Sequence, residues 1–461
     1  MRRVDGSRAV TAAAGGTAST RSTGPGRVRM GARFWQLWWA TAISSTGDGL
    51  VGTVALPLLA LTMTRNALAI AGVTAANKAA AAAFSLPAGL LTDRVDRRDL
   101  MSACELVPGL VVGALVAAMG LHVADLTMVY GVAVVVAVCD VTYKLALQAV
   151  FPEVVALPEQ LGVGNGRLMA VDGAGEQLVG PALGGFLFGA AQRLPFFADA
   201  VSFVASAVLV RTSVPSRGAK GTHAVAGPVG QGAGAVGRHL VRPPSHRRPK
   251  ARLTADLRTG FSVFNAKAAL KLLAGAMAAT TFSQHMVFGL LVIYGEHLLR
   301  LSPTGYGAFL AGASLLGVVG FFFGGAAQKR LGASGVIITG SLLCGLSYLG
   351  MSVAGVAVLA AVLFGLQELG TAIMNVGSIT TRQQLIPRDL YGRVGSVHRL
   401  FVATAAPLGA LAGGFVADAW GVRPAMLVAG TLNLAVLAGL APAVRHHLPS
   451  AGRPVADAGA R

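Results

Sequence analysis

Apolar stretches of membrane-spanning length recur along this chain, and the gaps between most of them are too short for a soluble domain. A helix needs about 20 residues to cross the hydrocarbon core of a bilayer. Twelve runs approach or exceed that length: 35–61, 68–91, 100–120, 124–147, 165–190, 195–211, 270–294, 304–327, 332–352, 354–378, 394–417 and 422–443. In lipid, each segment must satisfy its own backbone hydrogen bonds, so runs of this kind fold as helices. The composition agrees: 12% of residues are charged and 54% are hydrophobic, against about 25% charged in soluble domains. The 61 glycines suit helices that pack closely in lipid. The expected fold class is an all-α polytopic membrane protein with twelve transmembrane helices.

The formal net charge of +19 would suit a nucleic-acid partner, but its distribution points elsewhere. With a cytoplasmic N-terminus, the outer loops hold four basic residues, Arg65, Arg193, Arg300 and Arg423. Nearly all the others fall on the inner side, which is the bias that sets membrane topology. No interleaving of aromatic and basic residues supports nucleic-acid binding. Cys104, Cys139 and Cys344 all lie in apolar runs. They read as buried thiols without disulfide or metal spacing.

Between spans the chain divides into five parts. Residues 1–33 form a basic, disordered cytoplasmic tail. No apolar core follows their basic residues, so they do not read as a secretory signal. Residues 34–211 carry six spans. Residues 212–267 form a cytoplasmic linker with ten lysines and arginines against one acid, Asp256. Its Gly/Pro/Arg-rich part, 212–250, reads as disordered, and its end, 253–264, as an amphipathic surface helix. Residues 268–445 carry six more spans, and 446–461 form a cytoplasmic tail. The halves also repeat. Gln148 precedes Pro152 as Gln383 precedes Pro387. Gly166-Arg167 precedes Pro181 as Gly392-Arg393 precedes Pro407, and a Gly-Gly pair follows each of these two prolines. The expectation is two six-helix bundles related by duplication.

The densest charge lies between spans 2 and 3, in Gly89-Leu-Leu-Thr-Asp93-Arg94-Val-Asp96-Arg97-Arg98. Such a loop must sit in water or among headgroups. Its pattern resembles the signature loop of the major facilitator superfamily, although the family usually has glycine where Asp96 stands. After span 8, Gly325 and Lys329-Arg330-Leu331-Gly332 echo it, with Lys329 in the place of Asp93. The resemblance covers about 34–445. Within it, three stretches are similar to the branch of siderophore exporters and macrolide efflux pumps: Phe34 to Leu50, Asp199 to Ser206, and Asp256 to Phe261. It implies export of a drug, antibiotic or siderophore, usually by proton antiport with alternating access. The expected partners are a small-molecule substrate, protons and the lipid bilayer, for a monomer in the plasma (inner) membrane with both termini cytoplasmic. The resemblance also implies that the first loop meets the start of span 11 near Gly392. There Asp93, held by Arg94, Arg97 or Arg98, would latch the halves together. Gly180-Pro181-Ala-Leu-Gly184-Gly185 in span 5 resembles the antiporter motif, a bent helix whose glycines allow close approach. The family's preceding glycine is Glu176 here, and the span 4 arginine motif is missing.

Ionisable residues inside spans are costly and are functional candidates by default. Asp48 and Glu368 fall near mid-membrane, where substrate meets two bundles. Lys78 is central in span 2, and His285, beside Gln284, is in span 7; His285 reads as a satisfied polar residue more readily than as a shuttle. Asp140 and Lys144 are one turn apart and can neutralise each other. Asp172 and Glu176 also share a face. Like charges in a low-dielectric medium favour retention of a proton by one of them, as a proton carrier requires; alternatively, one of them pairs with Lys78 or Lys144. Asp199 reads as interfacial. No Walker A loop, nucleophile motif or zinc spacing occurs, so no enzyme activity, metal or cofactor is expected, and a proton gradient would supply the energy. Two alternatives share these residues. One is an importer or facilitator on the same fold. The other is a non-transporting membrane scaffold or sensor that docks through 212–250.

Overall fold

The computed structural model describes residues 30–155, 160–214, 258, 261–387 and 390–448, with Asp93 described in its backbone alone. Most of the two terminal tails and of the basic linker therefore lies outside the described residues. So does the side chain of Asp93 and hence its expected latch.

No strand occurs among the described residues, which form twelve helical passes. In the first half, α1 is Ala32–Met63, α2 is Ala67–Arg94, α3 is Arg97–Gly120 and α4 is Leu126–Val154. The fifth pass, α5, runs through Leu161–Ala174, Gly175–Val179 and Gly180–Ala190, and α6 is Leu194–Ser213. In the second half, α7 joins Ala268–Phe288 to Leu291–Leu298 with a 42° bend. Pro303–Val353 is interrupted at Gly332 into α8 (303–331) and α9 (333–353). Then come α10 Ala357–Leu385, α11 Tyr391–Trp420 and α12 Val422–His447. Each half repeats one plan. α1 packs on α5 and α6 as α7 packs on α11 and α12, and α3 packs on α6 as α9 packs on α12. Large apolar side chains such as Leu110, Phe186, Val208 and Phe322 point outward, as a lipid-facing surface requires.

The halves meet along two seams, α2 against α11 and α5 against α8. Both seams are made by glycine. A Cβ on Gly414 would stand 2.9 Å from Ala71 Cβ and Leu68 Cα, and one on Gly185 would stand 2.8 Å from Gly307 Cα. Gly180, Gly184 and Gly185 share their spacing with Gly409, Gly413 and Gly414. The first two glycines of each set pack on a neighbour in their own half: Gly180 and Gly184 on α1, Gly409 and Gly413 on α7. The third in each set faces the other half. The repeat therefore follows these glycines, and Pro181 and Pro407 do not occupy equivalent places.

Both seams lie at one end of the molecule, here the far end. There a single apolar core joins the halves, with Leu59, Ala67 and Phe188 beside Leu290, Tyr306 and Ala425. At the other end, which holds residues 30 and 448, the cores separate. Phe34, Tyr143 and Val210 form one cluster, and the second half has its own around Leu273 and Leu270. The end of the linker seats on the second half. Phe264 is buried against Leu270, Ile386 and Val394, and Lys267 Nζ donates to Leu385 O at 2.7 Å.

The two signature loops reverse the chain differently. Asp96 has φ −61°, and its carboxylate accepts from the Arg98 N–H at 2.9 Å, capping α3. No left-handed residue is needed there, which explains why aspartate serves in place of glycine. Arg97 Nη1 donates to Ala149 O at 3.1 Å and to Glu153 Oε1 at 3.0 Å, tying this loop to the end of α4. In the second half the reversal turns on Gly332 at φ 70°, a conformation that strains any other residue.

The glycine seams predict a response to overpacking. Gly185→Leu should destabilise the closed far end by on the order of 1–3 kcal/mol. In a Thr304→Cys background, labelling by an impermeant thiol reagent from the far side should then rise several-fold. Unchanged labelling would show that these contacts do not hold the seam.

Candidate functional site

Asp48 and Glu176 both stand at widened helical turns. α1 opens into a π-turn at Gly49–Ala55, directly after Asp48, and α5 does so at Gly175–Val179, which contains Glu176. Such turns rotate the following residues and often mark functional positions. Here the two lean on each other. A Cβ on Gly49 would collide with the Glu176 carbonyl, and one on Gly180 would lie 2.7 Å from Thr46 O. Backbone approach this close needs glycine.

Between the halves lies a cavity of about 310 Å³. From the first half, Asp48, Lys78, Asp140, Lys144 and Glu176 reach its wall; from the second, Gln284, His285 and Glu368 do. Val51, Val73, Phe288, Leu310 and Phe364 make much of the rest apolar. Asp48 and Glu368, expected near mid-membrane on different helices, thus share one chamber.

Lys144 is the electrostatic centre. Its Nζ lies 3.1 Å from Asp140 Oδ1 and 3.4 Å from Glu176 Oε2. Sequence spacing suggested the first contact; the second crosses from α4 to α5. It is the alternative that the sequence left open for Asp172 and Glu176, one of them pairing with Lys144. The π-turn that starts at Gly175 and contains Glu176 interrupts the regular helix carrying Asp172, and Glu176 lines the central cavity while Asp172 lines a separate chamber inside the first half. Glu176 is therefore the partner of Lys144 rather than one of two acids facing each other. Asn77 Nδ2 donates to Ala133 O at 3.1 Å, fixing α2 against α4 beside Lys78. His285 Nδ1 lies 2.9 Å from Thr281 O, the arrangement of a satisfied polar residue. Among the described residues, no cation stands within ion-pair distance of Asp48, Asp172 or Glu368.

Two acids differ from the sequence reading. Asp199 is 1% exposed, and a Cβ on Gly47 would collide with its carboxylate. It is packed against α1 rather than interfacial. Glu105 in α3 was not among the candidates, although an acid five residues past the start of an apolar run was a visible signal. It is 2% exposed and accepts from Ser44 Oγ at 3.1 Å. At the seam, Gly185 faces the second half and Gly184 faces Leu50. In the loop, Arg94 is exposed, and a Cβ at Gly89 would meet open space.

The family model described as Major Facilitator Superfamily matches residues 37–299 and 272–460. No curated protein matches. Solved structures do. A bacterial homologue of the human lysosomal transporter Spinster, inward-facing and unoccupied, has TM-score 0.66 and 14% identity over 90% of this chain and 96% of its own. The nucleoside transporter NupG has TM-score 0.66 and 11% identity over 90% of this chain and 99% of its own. A bacterial homologue of the iron transporter ferroportin, inward-facing, has TM-score 0.61 and 17% identity over 89% and 98%. At these identities the likeness concerns the fold.

The Lys144 cluster predicts a charge requirement. Lys144→Met leaves Asp140 and Glu176 without the cation that bridges them, a loss on the order of 1–3 kcal/mol for partly exposed groups. The melting midpoint in detergent should fall, and adding Glu176→Gln should restore part of it. A fully additive double variant would argue against the contact.

Proposed function

The chain belongs to the Major Facilitator Superfamily, and from that premise we propose that it is a secondary active exporter of a small hydrophobic or amphipathic compound, driven by proton antiport. The observation that carries this reading is the central cavity. Carboxylates from both halves and two lysines, Lys78 and Lys144, meet there among apolar and neutral polar side chains, and glycine seams close it at the far end. An amphipathic solute finds both kinds of surface in it, and the carboxylates offer sites for protons. The closed far end and the separate cores at the terminal end describe one of the two states that alternating access needs.

The orientation follows from charge. Basic residues concentrate at the terminal end, so both termini and the 212–267 linker are assigned to the cytoplasm and the protein to the plasma (inner) membrane. The conformation is then inward-open, ready to load substrate from the cytoplasm. Asp48 and Glu368 are assigned to substrate and proton contact. Glu176 is assigned to proton exchange, because a proton on its carboxyl would release Lys144 to Asp140 alone. The signature loop, with Gly89, Asp93, Arg94, Arg97 and Arg98, is assigned to gating at the cytoplasmic end, and the Gly180–Gly185 motif to the hinge. Drugs, macrolides and siderophores are the substrate classes to test first.

Three measurements check this reading. In everted vesicles with an acid interior, uptake of an amphipathic dye or a macrolide should collapse when a protonophore is added. Uptake indifferent to the pH gradient would favour a facilitator. Glu176→Gln keeps size and hydrogen bonding but cannot titrate; it should lose gradient-driven export by at least about tenfold, roughly 1.4 kcal/mol in rate terms, while still inserting. For topology, Ala235→Cys should resist an impermeant thiol reagent in intact cells and react in everted vesicles.

A further inference from the structure

The first half contains a second chamber, of about 670 Å³, enclosed mainly by α1, α3, α4 and α5. It is larger than the cavity between the halves, and the two share Asp48, Asp140 and Lys144 in their walls. The backbones of α4 and α5 stay apart over most of their length, touching through side chains such as Phe151 and Leu168 at the terminal end, and the Lys144–Glu176 contact bridges them further in. Gln148, Gly162 and Asn165, near the terminal ends of the same helices, line the mouth side. The space is ample for a file of water molecules, each needing about 30 Å³.

We propose that this chamber is a separate route for the coupling proton, and that Glu105, buried in its wall, is the residue that takes the proton up.

The two halves serve as controls for each other. Ser44 of α1, Glu105 of α3 and Ser206 of α6 form a buried polar cluster: the Ser44 hydroxyl donates to Glu105 at 3.1 Å, and the Ser206 hydroxyl donates to Ala40 O at 3.3 Å beside it. The corresponding helices α7, α9 and α12 bring together Thr280, Ser341 and Asn433. There Thr280 Oγ1 donates to Asn433 Oδ1 at 3.3 Å, and Asn433 Nδ2 donates to Ser341 O at 3.0 Å. That cluster closes on itself, and the adjoining void is about 10 Å³. A neutral amide therefore suffices to tie these three helices together in this fold. The first half places a carboxyl on α3, where α9 carries Ser341, and keeps a hollow beside it, although neutral groups alone tie the same three helices in the second half.

The surroundings of Glu105 suit a proton more than a metal ion or a fixed ion pair. Asp48 faces the chamber from α1, Asp140, Tyr143 and Lys144 from α4, and Asp172 from α5, while Cys104 adjoins Glu105 on α3 and Asp199 is buried on α6. Lys144 is already committed to Asp140 and Glu176, so Glu105 has no cation partner among the described residues. A metal ion would need several converging oxygens, and no cluster of that kind occurs among the described residues. In the proposed cycle, a carboxylate oxygen of Glu105 gains a proton from chamber water. The proton later returns to water at the Asp140–Lys144 partition and passes to Glu176, with no other bond made or broken.

The proposal rests on the antiport reading, and the experiment separates the two. In proteoliposomes, wild-type transport of the dye is measured with a pH gradient and, without one, as exchange of internal for external dye. Glu105→Gln should reduce gradient-driven transport at least tenfold and leave exchange within twofold. Asn165→Cys modified by a bulky thiol reagent should do the same by plugging the chamber. Wild-type transport that ignores the pH gradient, or follows a sodium gradient instead, overturns both readings. Wild-type coupling to protons with full gradient-driven transport in Glu105→Gln overturns this proposal alone, as does exchange lost in parallel with driven transport. If Glu105→Gln does not fold, Ser44→Ala decides: it keeps the carboxyl and removes its donor. The pH midpoint of transport should then be displaced, and an unmoved midpoint overturns the proposal.

Discussion

The architecture depends on how closely the halves can approach at one end. Lipid supplies little hydrophobic drive between helices, so packing contact must hold them together. Gly185 against Gly307, and Gly414 against Ala71 and Leu68, let the backbones touch where any larger residue would hold them apart. Around these contacts one apolar core runs through both halves. Because it stops short of the terminal end, the same contacts that close one end leave the other open. Gly180 and Gly184 perform a second task, pressing α5 onto α1. Movement at the seam is thereby linked to the helix that carries Asp48 and the turn that carries Glu176.

Charge is then placed where that geometry leaves room for water. Asp48, Asp140, Asp172, Glu176, Glu105 and Asp199 belong to the first half, which offers Lys78 and Lys144 in return. The second half contributes Glu368 to the cavity, with Gln284 and His285. Buried acids in such excess are costly unless protons or a cationic partner offset them. Among the described residues that line these two cavities, the acids are therefore concentrated in the first half.

Much of the fold was legible in the sequence because its governing constraint is local. Run length marked the twelve passes, and the long basic linker together with the internal repeats marked the division into halves. Boundaries were less legible. The apolar run at 165–190 stops short of residues 161–164, which carry two glycines, yet the helix starts at Leu161 and Gly164 is packed against Phe151, Phe34 and Met30. The site was legible as a set of residue types but less so as an arrangement. Asp140 with Lys144 followed from spacing, since four residues in a regular helix share a face. The shared face of Asp172 and Glu176 did not, because Glu176 stands in a π-turn and nothing local in Gly175–Val179 announces it. The Asp96 exception became intelligible once its side chain was seen capping α3.

The comparison of halves separates what the fold needs from what this protein adds. Duplication fixes which helices touch, so equivalent positions meet the same packing demand. Where both halves answer alike, as with the Gly-x-x-x-Gly-Gly stretches, the demand comes from the fold. Where they answer differently, a further requirement has acted on one of them. Gly332 and Asp96 are two conformational answers to one chain reversal. Asn433 and Glu105 are unequal answers to one tie between three helices: the amide closes its cluster, and the carboxyl keeps a hollow beside it. Burying a carboxyl costs more than burying an amide with its bonds made. A carboxyl in a tie that neutral groups complete in the other half, with Ser341 at its counterpart on α9, is the contrast on which the proposed proton route rests.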